Sequence, residues 1–254
     1  MGFYIGSWFI PYYGLMITVG VTLAVIMGLW LVKRANLNVF DFILIVTYAG
    51  GSGMVGAKLF YWIVSFREID WFLFFHDLNY FNVLMSSGFV FYGGLICGIA
   101  ILPLIAKLHR ISVWRYVRIC IPCIPFVHAF GRIGCHLAGC CYGIEYGGLF
   151  SIQYHHSSIA PNGVDLFPVQ MTEAMMEFLI CCILLIMVLK GSHCATELYL
   201  CLYSVGRFVL EFFRGDVERG FLGILATSQW ISIAVLIATV CVFIVRKSRF
   251  VSST

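Results

Sequence analysis

One stretch of the sequence, residues 126–143, carries most of the residue types that could do chemistry. It begins inside an apolar run and contains Arg132, a cation at a depth where a membrane-spanning chain should avoid one. Cysteines and histidines follow it at Cys135, His136, Cys140 and Cys141. Because a charge inside a bilayer is costly unless it is paired or hydrated, an arginine there indicates a functional site. The alternative is a glycine-rich packing surface whose arginine reaches the membrane interface.

A few other charged residues lie within apolar segments or at their outer ends. They are Lys58, Glu173, Glu177, Arg207 and Glu211. The pair Arg207 and Glu211 shares one helix face because of its four-residue spacing, and Arg214 extends that face. Two arginines near one leaflet favour an anionic ligand, and a lipid phosphate is the anion at hand. The alternative is a set of ion pairs between helices, for example Arg207 with Glu173.

Other chemistry stays open on the residues alone. Lys58 is either a counter-ion for a lipid headgroup or a structural ion-pair partner. A cysteine nucleophile at Cys140 or Cys141 could be activated by His136 or His128, which both lie four residues from Arg132. The cysteines and histidines of residues 135–156 could also ligate a metal ion. We nevertheless expect neither a metal nor a cofactor.

The elements that must position these residues are membrane helices. Hydrophobic residues make up 61% of the chain and charged residues 11%, which excludes an ordinary soluble domain, and we expect no nucleic-acid partner. Apolar runs of about 20 residues, the length that crosses a bilayer, predict seven spans. These are residues 12–32, 41–64, 88–107, 114–134, 172–190, 195–213 and 226–245. No long linker divides them, so residues 1–254 are predicted to be a single all-α integral membrane domain.

The basic residues predict the orientation of these spans. Ten lie on one side of the membrane, namely Lys33, Arg34, Lys107, Arg110, Arg115, Arg118, Lys190, Arg246, Lys247 and Arg249. The other side has Arg67, Arg214 and Arg219. By the positive-inside rule the C-terminus is cytoplasmic, and seven spans then place the N-terminus outside. Residues 65–87, rich in aromatic side chains, are predicted to form an interfacial arm, and residues 135–171 an outward-facing head with a short strand at 149–154.

Six segments in chain order carry a resemblance to a known family. They are Tyr12–Met16, Ala57–Tyr61, Tyr92–Gly98, Gly131–Gly134, Phe167–Ala174 and Gly206–Arg214. The chain resembles the prolipoprotein diacylglyceryl transferases, a family of bacterial membrane enzymes. Gly131-Arg-Ile-Gly134 is similar to the start of the family's Gly-Arg-x-Gly-Asn signature, and Gly206–Arg214 is similar to its second arginine motif.

The resemblance implies a reaction and a set of roles. The cysteine thiol of a lipobox-containing prolipoprotein would attack the glyceryl carbon of phosphatidylglycerol, or a related anionic phospholipid, and glycerol phosphate would leave. Arg132 and Arg207 would bind the phosphate, Glu211 would orient Arg207, and Tyr13 would lie near the headgroup. The remaining candidates for substrate binding are Lys58, Gly93, Gly94, Gly131, Gly134, Gln170, Glu173 and Arg214. The implied location is the bacterial cytoplasmic (inner) membrane, crossed several times.

The sequence also departs from the family pattern. The histidine of the family's His-Gly-Gly motif is Tyr92 here, which is a much weaker base near neutral pH. The usual Asn-x-x-Asn-Gly-Glu reads Cys135-His-Leu-Ala-Gly-Cys140. We therefore predict a relocated base, His136 in preference to His128, with Tyr92, Arg132, Arg207 and Cys140 as the other catalytic candidates. The alternatives are a paralogue that uses another acceptor or phospholipid, and a non-catalytic lipid- or lipoprotein-binding membrane protein.

Overall fold

The chain folds mainly as helices. The computed structural model describes residues 1–6, 8–216 and 220–251, with the backbone alone for residue 8 and residues 245–251. The helices are α1 (Tyr12–Arg34), α2 (Val39–Val64), α3 (Trp71–His76), α4 (Leu78–Ser86), α5 (Phe91–His109), α6 (Val113–Cys120), α7 (Cys123–Ala138), α8 (Val169–Leu189), α9 (Ala195–Leu210) and α10 (Thr227–Val251). Two antiparallel ribbons accompany them, β1 (Gly2–Ile5) with β2 (Trp8–Pro11), and β3 (Phe221–Leu222) with β4 (Leu225–Ala226). Arg219, used above to predict orientation, lies outside the described residues.

The prediction of an all-α integral membrane protein is confirmed. Within the described residues, five helices are long and apolar enough to cross a membrane, namely α1, α2, α5, α8 and α10. A sixth span results if α6 and α7 are counted together, although they are bent by 54° at the break between them. The predicted span at 195–213 coincides with α9, which has 16 residues and continues as a 3₁₀ turn at Glu211–Phe213. Since α9 is shorter than the other spans, seven crossings remain a prediction.

The helices form two compact units. Unit 1 consists of Met1–Leu31 and Arg118–Thr254, and unit 2 consists of Val32–Val117. Within unit 1, α7 packs against α8, α8 against α9, and α9 against α10. This order places the charged residues of α7, α8 and α9 on neighbouring helices.

Unit 2 is built on a glycine-mediated contact between α2 and α5. A Cβ atom at Gly93 would lie 2.6 Å from the carbonyl oxygen of Gly56 and 2.4 Å from Cβ of Phe60. At Gly94 it would lie 3.0 Å from the carbonyl oxygen of Gly53. Small residues are therefore required for this close approach of two membrane helices. The structure thus gives Gly93 and Gly94 a packing function.

The predicted arm at residues 65–87 consists of α3 and α4. The side chain of Asp70 caps the start of α3, and that of Asp77 caps the start of α4. Lys58 fixes the end of α4, because its ammonium group donates to the carbonyl oxygens of Leu84, Ser87 (2.5 Å) and Gly88 (3.4 Å). A lysine ammonium has three donors, and a cation is favoured at the C-terminal end of a helix. Among the described residues Lys58 has no carboxylate partner, and its contacts are with a helix end; a role toward a lipid headgroup stays a prediction.

The head between α7 and α8 is held by short bridges around a small core. Ile152 pairs with Leu166, Tyr154 pairs with Asn162, and the buried core contains Tyr154, Ala160 and Leu166. The predicted strand at 149–154 was wrong. Phe150 has φ of +72°, in the left-handed region, and this interrupts the extended conformation that a strand requires.

Candidate functional site

Glu173 of α8 is the centre of a buried ion-pair network in unit 1. Its Oε1 lies 2.9 Å from Nη2 of Arg132 on α7, and its Oε2 lies 3.7 Å from Nη1 of Arg207 on α9. The glutamate is only 1% exposed. A buried carboxylate needs such partners because removal from water is costly for a charge. One acidic side chain therefore brings together the two arginines that the sequence singled out from different helices.

His128 is part of the same network. It lies one turn before Arg132 on α7, and its Nδ1 is 2.8 Å from Oε1 of Glu177. Its Nε2 is 3.8 Å from Oε1 of Glu173. Both ring nitrogens thus face carboxylates of α8, and a catalytic role of His128 stays a prediction.

A second set of contacts orients Arg207 from the end of α9. Glu211 Oε2 lies 2.7 Å from Nη2 of Arg207 and 4.0 Å from Nη1 of Arg214. Arg214 in turn makes a two-pronged contact with Asp216, through Nε to Oδ1 (2.8 Å) and through Nη2 to Oδ2. Bidentate arginine–carboxylate pairs fix the orientation of the guanidinium plane. The predicted function of Glu211 in orienting Arg207 agrees with this contact.

Two guanidinium N–H groups of this network have no hydrogen-bond acceptor in the described part of the chain. Nε of Arg132 and Nη1 of Arg207 are buried and lack a hydrogen-bond partner among the described residues. A buried unsatisfied donor costs about 1–3 kcal/mol, and more when it is charged. Since both arginines contact the same glutamate, these two donors belong to one site. An anion with several acceptor oxygens would satisfy them.

His136 is held by the head, apart from the ion pairs. Its Nδ1 lies 3.2 Å from the hydroxyl of Tyr154, which also lies 3.2 Å from the carbonyl oxygen of His136 and 3.2 Å from Nε2 of Gln170. Burial raises the pKa of Tyr154 to about 12, so the phenol keeps its single proton. A carbonyl can only accept and an amide nitrogen can only donate.

These contacts favour one tautomer of His136. The phenol hydrogen goes to the carbonyl, and the amide donates to the phenol oxygen. All three contacts are satisfied only if His136 Nδ1 carries the proton and also donates to Tyr154. The lone pair of the ring is then on Nε2. This is the form that a base needs.

Three cysteines meet at the end of α7. The Sγ atoms of Cys135, Cys140 and Cys141 all lie within 4.8 Å of one another. Gly139 has φ of +72° and ends the helix. Its N–H donates to the carbonyl oxygen of His136, and the N–H of Cys140 donates to the carbonyl oxygen of Cys135. This pair of bonds is a Schellman motif, which brings residues 135 and 140 together.

Cys141 completes the cluster through an unusual backbone conformation. Its φ is +55°, in the left-handed region, which costs about 1–3 kcal/mol for a residue with a Cβ atom. Hydrogen bonds with the thiols of Cys135 and Cys140 lower the pKa of Cys141, and the guanidinium groups of Arg132 and Arg214 act in the same direction. The cluster therefore adjoins the arginine network.

Glycines of α7 let α1 approach the same region. A Cβ atom at Gly134 would lie 3.2 Å from Cδ2 of Tyr13, and one at Gly131 would lie 3.3 Å from Cδ1 of Ile17. Tyr13 is close enough to Arg132 and Cys135 to interact with them electrostatically. The glycines of the Gly131–Gly134 segment thus position Tyr13 beside the site.

The match to known proteins covers almost the whole chain. A family model described as prolipoprotein diacylglyceryl transferase matches residues 1–245. The chain belongs to the prolipoprotein diacylglyceryl transferase family.

Curated relatives extend this result. A phosphatidylglycerol–prolipoprotein diacylglyceryl transferase 2 of Clostridium perfringens is 33% identical, over 93% of this chain and 91% of the relative. A phosphatidylglycerol–prolipoprotein diacylglyceryl transferase of Clostridium tetani is 34% identical, over 93% of each chain. One of the same name from Dehalococcoides mccartyi is 29% identical, over 98% of this chain and 94% of the relative. The resemblance read from six motifs is thereby confirmed.

The structure places the predicted site residues in both units. Unit 1 brings together the arginine network, His136, the cysteine cluster and Tyr13. Tyr92, Gly93, Gly94 and Lys58 belong to unit 2. Tyr92 is 44% exposed and makes an edge contact with Phe91, with ring centroids 5.8 Å apart. Their roles toward a substrate stay predictions.

Sequence reasoning missed two residues of the site. Asp216 fixes the guanidinium group of Arg214. The sequence could have indicated this residue, because an aspartate follows the last arginine of the second arginine motif by two positions. Tyr154 joins His136 to Gln170, and it was treated only as part of a possible strand. Nothing in the local sequence indicates that contact, because it joins the head to α7 and α8.

Proposed function

We propose that this member of the family transfers the diacylglyceryl group of phosphatidylglycerol to the lipobox cysteine of a prolipoprotein and releases glycerol phosphate. The names of the relatives, which cover nearly the whole chain, support this reaction. The observation that carries the proposal is the pair of buried guanidinium N–H groups, Arg132 Nε and Arg207 Nη1, which lack an acceptor in the described part of the chain. A phosphodiester supplies the acceptor oxygens that guanidinium groups prefer.

The arginines act on the leaving group. The acceptor sulfur forms a bond to the glyceryl carbon while the bond from that carbon to the phosphate oxygen breaks. The electron pair of the broken bond leaves with the glycerol phosphate, so negative charge increases beside Arg132 and Arg207. Because Glu173 and Glu211 already hold both guanidinium groups, little reorganisation is needed when the charge develops.

The proton of the acceptor thiol goes to His136. An unassisted cysteine has a pKa near 8.5, so only a small fraction is thiolate at neutral pH. Tyr154 and Gln170 hold the imidazole with its lone pair on Nε2. His128 is occupied by Glu173 and Glu177, which favours His136 as the base.

The proposal includes a location for the chain. It is a multi-pass protein of the bacterial cytoplasmic membrane, with the N-terminus and the head outside and the C-terminus inside. The arm of α3 and α4 lies in the headgroup region, as its exposed Phe72, Phe75 and Leu78 allow. The acceptor then reaches the site from the outer face, and residues 1–254 act as one domain.

Product analysis tests the proposal. Purified protein is incubated with phosphatidylglycerol and a lipobox peptide, and the products are measured by mass spectrometry. We expect the peptide to gain one diacylglyceryl group as glycerol phosphate appears, and a peptide with serine in place of its cysteine to stay unmodified. Release of glycerol phosphate without peptide modification would indicate another acceptor. Peptide or lipid binding without any product would identify a non-catalytic protein.

A further inference from the structure

The three thiols at the end of α7 have the spacing of a metal site. Thiolates around one tetrahedral zinc ion, each at about 2.3 Å, are about 3.8 Å from one another. The sulfur atoms of Cys135, Cys140 and Cys141 all lie within 4.8 Å of one another. The separations between the sulfur atoms therefore exceed the spacing around a bound ion by about 1 Å at most. No change of fold is required.

A structural explanation accounts for only part of this cluster. A Schellman motif commonly brings its first and last residues into contact, so Cys135 and Cys140 would meet in any case. Cys141 is not part of that contact. It reaches the other two from the left-handed region, which residues with a Cβ atom rarely adopt. Strain of this kind is concentrated at functional sites.

The surroundings suit a negatively charged metal–thiolate group. Three thiolates and one divalent cation carry a net charge of −1. Arg132 and Arg214 both interact electrostatically with Cys141. The carbonyl of Cys140 is fixed by a hydrogen bond of 2.9 Å from Nε2 of Gln170, which is 1% exposed. Hydrogen bonds to the residues that ligate a metal ion hold those ligands in place.

We propose that Cys135, Cys140 and Cys141 bind a thiophilic metal ion, zinc in the first instance, and that the acceptor thiol occupies its fourth coordination position. Among the described residues, no fourth histidine, cysteine or carboxylate joins the group. Three protein ligands with one open position are typical of catalytic rather than structural zinc. The assignment of the fourth ligand rests on the proposed function, whereas binding of the metal does not.

The proposed step is balanced. The acceptor thiol binds the metal as a thiolate, because a coordinating thiol is deprotonated, and its proton goes to His136, the base of the proposed function. The sulfur then uses an electron pair to form the bond to the glyceryl carbon, and the phosphate oxygen leaves with the pair of the broken bond. The thioether product is a weaker ligand and dissociates. No oxidant or reductant takes part, and Arg132 adjoins both the thiolate and the phosphate.

Cobalt binding tests the site directly. The full chain, purified in detergent, reduced and freed of metal by a chelator, is titrated with Co²⁺. We expect one equivalent with a sulfur-to-cobalt charge-transfer band, displaced by Zn²⁺. Cys135→Ser, Cys140→Ser and Cys141→Ser should each weaken binding more than about tenfold. Cys120→Ser and Cys182→Ser, which lie outside the cluster, serve as controls and should bind as the natural chain does.

A second measurement needs no variants. Zn²⁺ should slow alkylation of the three clustered cysteines in the natural chain, but not that of the exposed Cys194, which precedes α9, when sites are mapped by mass spectrometry. Absence of the charge-transfer band, or equal alkylation with and without Zn²⁺, would refute the metal site even if the serine variants failed to fold.

The fourth ligand has its own test. A lipobox peptide added to the cobalt form should change the visible cobalt spectrum, and the serine peptide should not. An unchanged spectrum would refute the fourth ligand. These readouts need no turnover, so a chain that binds cobalt without transferring lipid contradicts the proposed function alone. A chain that transfers lipid equally well after chelation contradicts the role of the metal alone.

Discussion

Replacing Arg132 by lysine separates its proposed function toward the phosphate from its structural function in the ion pair with Glu173. Arg132 uses Nη2 to pair with Glu173 at 2.9 Å, while its Nε lacks a partner in the described part of the chain. Lysine has a single ammonium group, which keeps the positive charge but cannot present two directed donors to a carboxylate and a phosphate. We therefore expect Arg132→Lys to keep the fold and to lose most of its turnover.

The size of each effect follows from the contacts. Removing one partner of a buried ion pair costs about 3–5 kcal/mol, so Arg132→Ala would destabilise the chain by leaving Glu173 with Arg207 at 3.7 Å. Arg132→Lys retains a cation beside Glu173 and should therefore destabilise the chain less than Arg132→Ala does. Loss of one preorganised donor to developing negative charge lowers turnover by about 10²–10³-fold, which is about 2.7–4 kcal/mol.

The assay measures turnover and thermal unfolding on the same preparation. Initial rates of peptide modification are compared for the natural chain, Arg132→Lys, Arg132→Ala and the control Arg118→Lys. Arg118 is exposed on α6, so its replacement should leave both quantities unchanged. Natural turnover by a folded Arg132→Lys chain would refute the assignment of Arg132 to the phosphate.

Three further predictions concern the base and the orientation. His136→Ala should lose far more turnover than Tyr92→Phe in the same peptide assay, and the reverse order would return the base to the family's usual position. Tyr154→Phe removes the acceptor of the Nδ1 proton and should slow turnover about two- to twelvefold, the equivalent of one neutral hydrogen bond, with binding of the lipid unchanged. Cysteine-accessibility labelling should place residue 160 outside the cell and residue 250 inside, and the opposite result at either position would overturn the proposed orientation.

The helical fold could be predicted because its signal is local. Apolar runs of membrane length and charges at their ends are visible in the sequence without knowledge of any contact. Arg132 and Arg207 were found for the same reason, as charges within such runs. Both arginines pair with Glu173 because α8 packs between α7 and α9 in unit 1. The periodicity of the sequence does not indicate which helices are neighbours.

Lys58 illustrates the opposite case. The sequence places a lysine within an apolar run, which by itself indicates a ligand or an ion pair. In the structure its donors end the neighbouring helix α4 instead. Backbone carbonyls are present in every sequence, so nothing in the residue types distinguishes this partner from a lipid phosphate.

The cysteine cluster lies between these cases. Gly139 after an apolar helix predicts a left-handed helix end, and the resulting Schellman motif brings Cys135 next to Cys140. That part was available from the sequence. The position of Cys141 was not, since the residue type gives no indication of its left-handed φ.

The segment from Cys135 to Cys141 contains both proposed means of activating the acceptor thiol, the base His136 and the three cysteines that would bind a metal ion. Gln170 donates to the carbonyl of Cys140 and to the hydroxyl of Tyr154, so one buried amide fixes the cysteine turn and the tautomer of His136 together. A chain that has lost the family's histidine and its amide and acidic residues can thus keep the two requirements of the reaction, a deprotonated sulfur and a cationic phosphate site. Under the proposed function, the arginines remain in the family's motifs, and the proton chemistry moves to the end of α7, one turn further along the helix that carries Arg132.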